Sequence, residues 1–127
     1  MAVTITHQHN RIVKQAIFDW VSAADGTATG QTDFIVNGEI LKILTNPDAV
    51  APTDLYDLTL TDDDAFDVAG GLIANRSTTN TEIVIPMSET TIGARFYAGP
   101  IYVDSALTLN VTNAGNAKAG RVRVYYR

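Results

Sequence analysis

The chain has 127 residues, 14 acids against 9 bases for a net charge of −5, and no cysteine. That excludes a disulfide framework, a thiolate metal site and a cysteine nucleophile, so a domain of this size must rely on its core. No basic footprint for nucleic acid is visible, and no apolar run reaches the ~20 residues that a membrane-spanning helix needs.

The kinds of charged residue say more than their sum. Asp supplies 11 of the 14 acids and Lys only 3 of the 9 bases. Glu and Lys suit exposed helix faces, whereas Asp suits turns. With 16 Thr, 9 Gly and many Val and Ile, the composition points to strands joined by tight turns.

Residues 1–10, MAVTITHQHN, have neither the basic stretch nor the apolar core of a signal peptide, and the expectation is folding in a reducing cytosol. This segment reads as an extended N-terminal arm or a first edge strand, with residues 11–127 as a single domain. Residues 11–22 fit two patterns. The pairs Ile12/Val13, Ala16/Ile17 and Trp20/Val21 recur every four residues, as in an amphipathic helix capped by Asn10. As a strand, the segment puts Ala16, Phe18 and Trp20 on one face and Asp19 on the other. The β-branched and aromatic content favours the strand.

Ala24-Asp25-Gly26 marks a turn. Asn37-Gly38, between residues 32–36 and 39–45, predicts a two-residue hairpin, because both turn positions of that type need positive φ. Asn46-Pro47 and Ala51-Pro52 punctuate a loop. Tyr56, Leu58 and Leu60 then alternate with Asp57, Thr59 and Thr61, the signature of a half-buried strand. Asp62, Asp63 and Asp64 turn the chain into a short strand at 65–68, and Ala69-Gly70-Gly71-Leu72 is a further turn. Residues 76–82 are polar and read as a loop, available to a partner. Ile101, Val103, Ser105, Leu107, Leu109 and Val111 share one face of the longest alternating run. After a loop at Asn113-Ala114-Gly115-Asn116, Val122 and Val124 oppose Arg121 and Arg123. The whole predicts an all-β domain, an antiparallel sandwich or barrel of about eight or nine short strands.

Chemistry is sparse. No G-x-S-x-G, Walker loop, G-x-G-x-x-G or H-E-x-x-H occurs, so no catalytic, cofactor-binding or metal-binding residue is assigned and the chain is read as no enzyme. His7 and His9 lie on one face of an extended segment, where threefold symmetry could bring six imidazoles to a metal; the plainer reading is a polar arm. Asp62, Asp63 and Asp64, with Asp67, lack the alternate spacing and final Glu of an EF-hand-type calcium loop and suit a solvated turn. Trp20, Tyr97, Tyr102, Tyr125 and Tyr126 could stack on sugars or fill core and interface.

Several segments carry a resemblance. They are Asp19-Trp20, the run GEILKILTNP at 38–47, APTDLYDLTLTD at 51–62, DVAGG at 67–71, ANR at 74–76 and LTLNVTNAGNAKAG at 107–120. As a set these resemble a family of small virion structural proteins encoded by tailed bacteriophages and prophages. The likeness runs from about residue 18 to the C-terminus, rests on turn-and-strand motifs, and carries over no catalytic residue. It implies a virion protein assembled in the host cytoplasm, whose partners are the major capsid protein or other virion proteins, with no nucleic acid and no membrane. The expectation is a head decoration or cement protein, a homo-oligomer with a trimer preferred. Its arm would add a strand to a neighbour's sheet. Three other readings stand beside it. One is a neck, tail or fibre component; another is a carbohydrate-binding adhesion module with Tyr97, Tyr102, Tyr125 or Tyr126 exposed on one surface. The last is a carboxylate enzyme with acids such as Asp57 and Asp67 converging in a cleft.

Overall fold

A computed structural model describes residues 2–127, the side chains at 90, 91, 96 and 97 apart. The chain is all-β, and among the described residues it has no helix. Eleven strands follow in order: β1 (Ala2–Gln8), β2 (Lys14–Val21), β3 (Ala28–Gln31), β4 (Val36–Pro47), β5 (Asp57–Thr61), β6 (Glu82–Val84), β7 (Met87–Ile92), β8 (Arg95–Pro100), β9 (Tyr102–Ser105), β10 (Thr108–Thr112) and β11 (Ala119–Tyr126). The larger sheet runs β1-β2-β11-β4-β6, with β9 also on β4; the smaller is β3-β10-β5, and β7-β8 is a separate hairpin. All pairings are antiparallel.

The alternating residues build the core. Ala16, Phe18 and Trp20 of β2 and Val122, Val124 and Tyr126 of β11 are buried against Leu58 and Leu60 of β5 and Leu109 and Val111 of β10. Burying side chains of this size contributes roughly 1.5–3 kcal/mol each. Residues 11–22 are therefore no helix: 14–21 form β2, with Asp19 on the outer face beside Arg121. Residues 101–112 keep the expected register throughout. Ile101, Val103, Ser105, Leu107, Leu109 and Val111 are all buried, although the run crosses from the larger sheet at β9 to the smaller at β10.

Three expectations need correction. Asn37-Gly38 is no hairpin turn, because β4 runs straight through it from Val36 to Pro47. Gly38 has φ 133°, and a side chain there would strike the Arg127 carbonyl, so glycine serves close approach instead of reversal. Residues 65–68 hold only a single bridge, Thr61 to Asp67, because Ala65 at φ 61° interrupts the extended backbone. Residues 2–8 are not an extended arm but the first edge strand, the other reading of this segment: β1 pairs with β2 along its whole length, Ala2 opposite Val21 and Gln8 opposite Gln15. Its Val3 presses onto Gly30 of β3, where a Cβ would come within 2.5 Å, so β1 ties the two sheets together along one side.

Candidate functional site

Most of the singled-out side chains turn out to be busy holding loops. Asp62 Oδ1 accepts the N–H groups of Asp64 and Phe66. Asp67 Oδ1 accepts those of Leu60 and Ala69, and its Oδ2 that of Gly71. These oxygens organise the turn and are not free to gather around a cation. Asp57 accepts from the Asn75 N–H and the Asn113 amide. It begins β5, while Asp67 is bridged to Thr61 at that strand's other end. The Asp67 carboxylate accepts from the Leu60 N–H, three steps of about 3.3 Å or roughly 10 Å along the strand from Asp57, and each acid is committed to its own backbone or amide donors instead of facing the other.

His7 and His9 do share a face, with ring centroids 4.7 Å apart. However, the His7 ring stacks on Phe34 at 3.7 Å, and its Nε2 lies 2.5 Å from the Tyr126 hydroxyl. Burial, and then the neighbouring His9, hold its pKa below the ordinary 6.5. Among the described residues no three His, Asp or Glu side chains come together as a metal site would require.

Of the four candidate stacking aromatics whose side chains are described, only Tyr102 is exposed. Trp20 and Tyr126 are buried, as is Tyr56, whose phenol burial pushes up to about 12 with Glu82 adding to the effect. Tyr102 is exposed, Tyr125 is half-buried with the Lys42 ammonium 4.6 Å from its ring centre, and the Tyr97 side chain lies outside the described residues. The polar stretch 76–82 is fastened to its own body. The Arg76 guanidinium is 3.7 Å from Glu82, and Thr78 bonds to Pro52 and Asp54.

Two surface features remain. One is an open groove of about 380 Å³ on the outer face of the larger sheet, lined by Leu44, Asn46, Asp48, Arg121, Arg123 and Tyr125 among others. Alternation puts them there: Arg121, Arg123 and Tyr125 face outward because Val122, Val124 and Tyr126 face the core. Asp19 already holds Arg121 through two hydrogen bonds.

The other lies where the β7-β8 hairpin leaves the body. Phe66, Gly70, Leu72, Ile85, Met87 and Glu89 line a second groove of about 380 Å³. Its four apolar side chains are 45–66% exposed, and Ile83 nearby in sequence and Ile92 at the hairpin tip are exposed as well. Sequence reasoning overlooked this end. The signal was present in Ile83-Val84-Ile85-Pro86-Met87, an apolar run in which Val84 and Pro86 turn inward while Ile83, Ile85 and Met87 stay exposed. Phe66, Leu72, Ile85 and Met87 gather around one groove, as at an interaction surface, whereas other exposed apolar side chains such as Ile12, Ile35, Val50 and Leu55 line neither groove.

Compared with known proteins, the chain matches no family model, no curated protein and no solved structure.

Proposed function

We propose that the chain is a structural protein of a tailed-bacteriophage virion, a decoration or cement subunit of the expanded head, and not an enzyme. The observation that carries this reading is the hairpin end. It combines a two-stranded ribbon, an apolar groove at its base lined by exposed Phe66, Leu72, Ile85 and Met87, and an exposed Ile92 at the ribbon's tip. A two-stranded ribbon is marginal in water by itself. Contact with a larger assembly would bury this surface and contribute at roughly 25 cal/mol per Å² before the costs of association. The resemblance read in the sequence from about residue 18 onward is the reason for proposing a virion as the assembly. Binding the expanded shell better than the unexpanded one would stabilise the particle by mass action.

A sugar-binding reading is less well supported, since Lys42 stands over the Tyr125 ring where a pyranose would stack.

The test is to count the protein in purified particles by quantitative mass spectrometry and to heat particles with and without it. Many copies per particle and lower heat resistance without it are expected. A few copies per particle would assign it to the neck, tail or fibre, and absence from particles would refute the reading.

A further inference from the structure

We infer that the partner of the hairpin end is a second copy of this chain, the hairpin tip of one copy seating in the base groove of the next. This rests on the reading of that end as an assembly surface and names its occupant.

The tip is built from Ile92 and Arg95, paired across Gly93-Ala94, with Ile92 exposed and Arg95 pointing its charge into solvent. Among the described side chains, the tip thus presents one exposed branched apolar residue beside one exposed cation. The groove offers the counterpart. Its floor is Phe66, Leu72, Ile85 and Met87, and Glu89 stands in its lining. Apolar meets apolar and cation meets carboxylate in the same arrangement. On a chain of net charge −5, where general repulsion opposes self-association, such a local match is what would select one mode of contact.

Geometry decides between the chain's own groove and a neighbour's. Met87 lies in the groove and Ile92 at the tip, five steps along a strand, or about 17 Å at roughly 3.3 Å per residue. The tip therefore points away from its own groove and can fill only another molecule's. Each copy offers one tip and one groove, two different patches, so the contact either is exchanged reciprocally within a pair or passes head to tail around a ring.

The full chain can be followed by analytical ultracentrifugation from micromolar to millimolar concentration, without any particle. The wild type is expected to rise above its 13.7 kDa monomer mass. Arg95→Glu alone and Glu89→Arg alone should each weaken association tenfold or more. These are exposed sites at which charge reversal leaves the fold intact, checked by unchanged circular dichroism. Mixing the two variants should restore association, because a negative tip then meets a positive groove. A wild type that stays monomeric throughout, variants that associate as the parent does, or a mixture that does not recover would each overturn the inference. A chain that self-associates yet is missing from particles would instead refute the virion reading and leave this contact standing.

Discussion

His7 and Tyr126 reach each other over strand β2: the imidazole Nε2 lies 2.5 Å from the phenol oxygen, with the small, buried Ala16 opposite His7 on the intervening strand. The contact links edge strand β1 to β11, the third strand of the larger sheet. Phe34 stacks on the other side of the imidazole and completes its surroundings.

Burial, His9 and Lys14 all disfavour a proton on His7, and Asp33 opposes them only in part. Its folded pKa is thus below the 6.5 of the unfolded chain. The unfolded state takes up the proton first as pH falls, so this residue's contribution is whole above 6.5 and is lost as pH drops through the folded value. Thermal unfolding should therefore show a falling midpoint from pH 8 to pH 5 in the wild type. The fall should be shallower in His7→Gln, which keeps a polar group but cannot titrate. Two parallel pH curves would remove His7 from the account.

Asp67 illustrates how an acid can look like a ligand and act as a brace. Its two oxygens take three backbone N–H groups, from Leu60, Ala69 and Gly71. Asp67→Ala leaves those donors unmatched and should cost about 2–3 kcal/mol, read from urea unfolding. Asp67→Asn, which can still serve Leu60 and Ala69, should cost about half as much. Adding a chelator should leave the wild-type midpoint unmoved. A chelator-induced drop would mean that the aspartates hold a cation after all.

How much of this was legible beforehand depends on where two-residue alternation is regular. Residues 101–112 were read correctly because every second side chain goes inward without interruption. In β4 the rhythm breaks: Ile40 and Ile43 are both buried although three apart, because the register slips between Tyr125 and Tyr126 and leaves Leu41 without a partner. A bulge of this kind is fixed by the neighbouring strand and has no local sequence mark. Asn37-Gly38 misled for a related reason, since the close approach that demands glycine comes from Arg127, 89 residues away in sequence. The hairpin end was missed because its apolar residues are not buried, and burial is what periodicity detects.

The ion pair between Arg121 and Asp19 looks strong, with the guanidinium held by both carboxylate oxygens at 2.5 and 3.2 Å. Yet the two side chains are 41% and 37% exposed on the outer face of the larger sheet. Water already solvates both charges there, and holding two long side chains in place costs entropy. Arg121→Met should change stability by under about 1 kcal/mol, far less than a core truncation. A loss several times larger in urea unfolding would show that this face is shielded from solvent in some associated form of the protein.

Trp20 and Gly120 make the opposite case, in which a residue with no side chain is decisive. They pair across β2 and β11, and the indole lies over the glycine so closely that a Cβ would stand 2.5 Å from Cζ2 and 2.8 Å from Cε2. The ring cannot retreat, because Trp20 is 1% exposed and Tyr56 packs at 5.6 Å on the same core. Nor can the strand move freely, since the Asn46 carbonyl on the other flank would be 3.0 Å from the same Cβ. Gly120→Ala should therefore destabilise by about 1–3 kcal/mol through overpacking, despite the usual gain from replacing a strand glycine. At about 3–5 °C per kcal/mol for a domain of this size, the midpoint should fall by roughly 3–15 °C. Gly99→Ala is the matched control: the same substitution in β8, where nothing lies within 4 Å of the added carbon, should be neutral or slightly stabilising. If both variants melt with the parent, the indole is not packed on Gly120 in the way that sets the spacing of these strands.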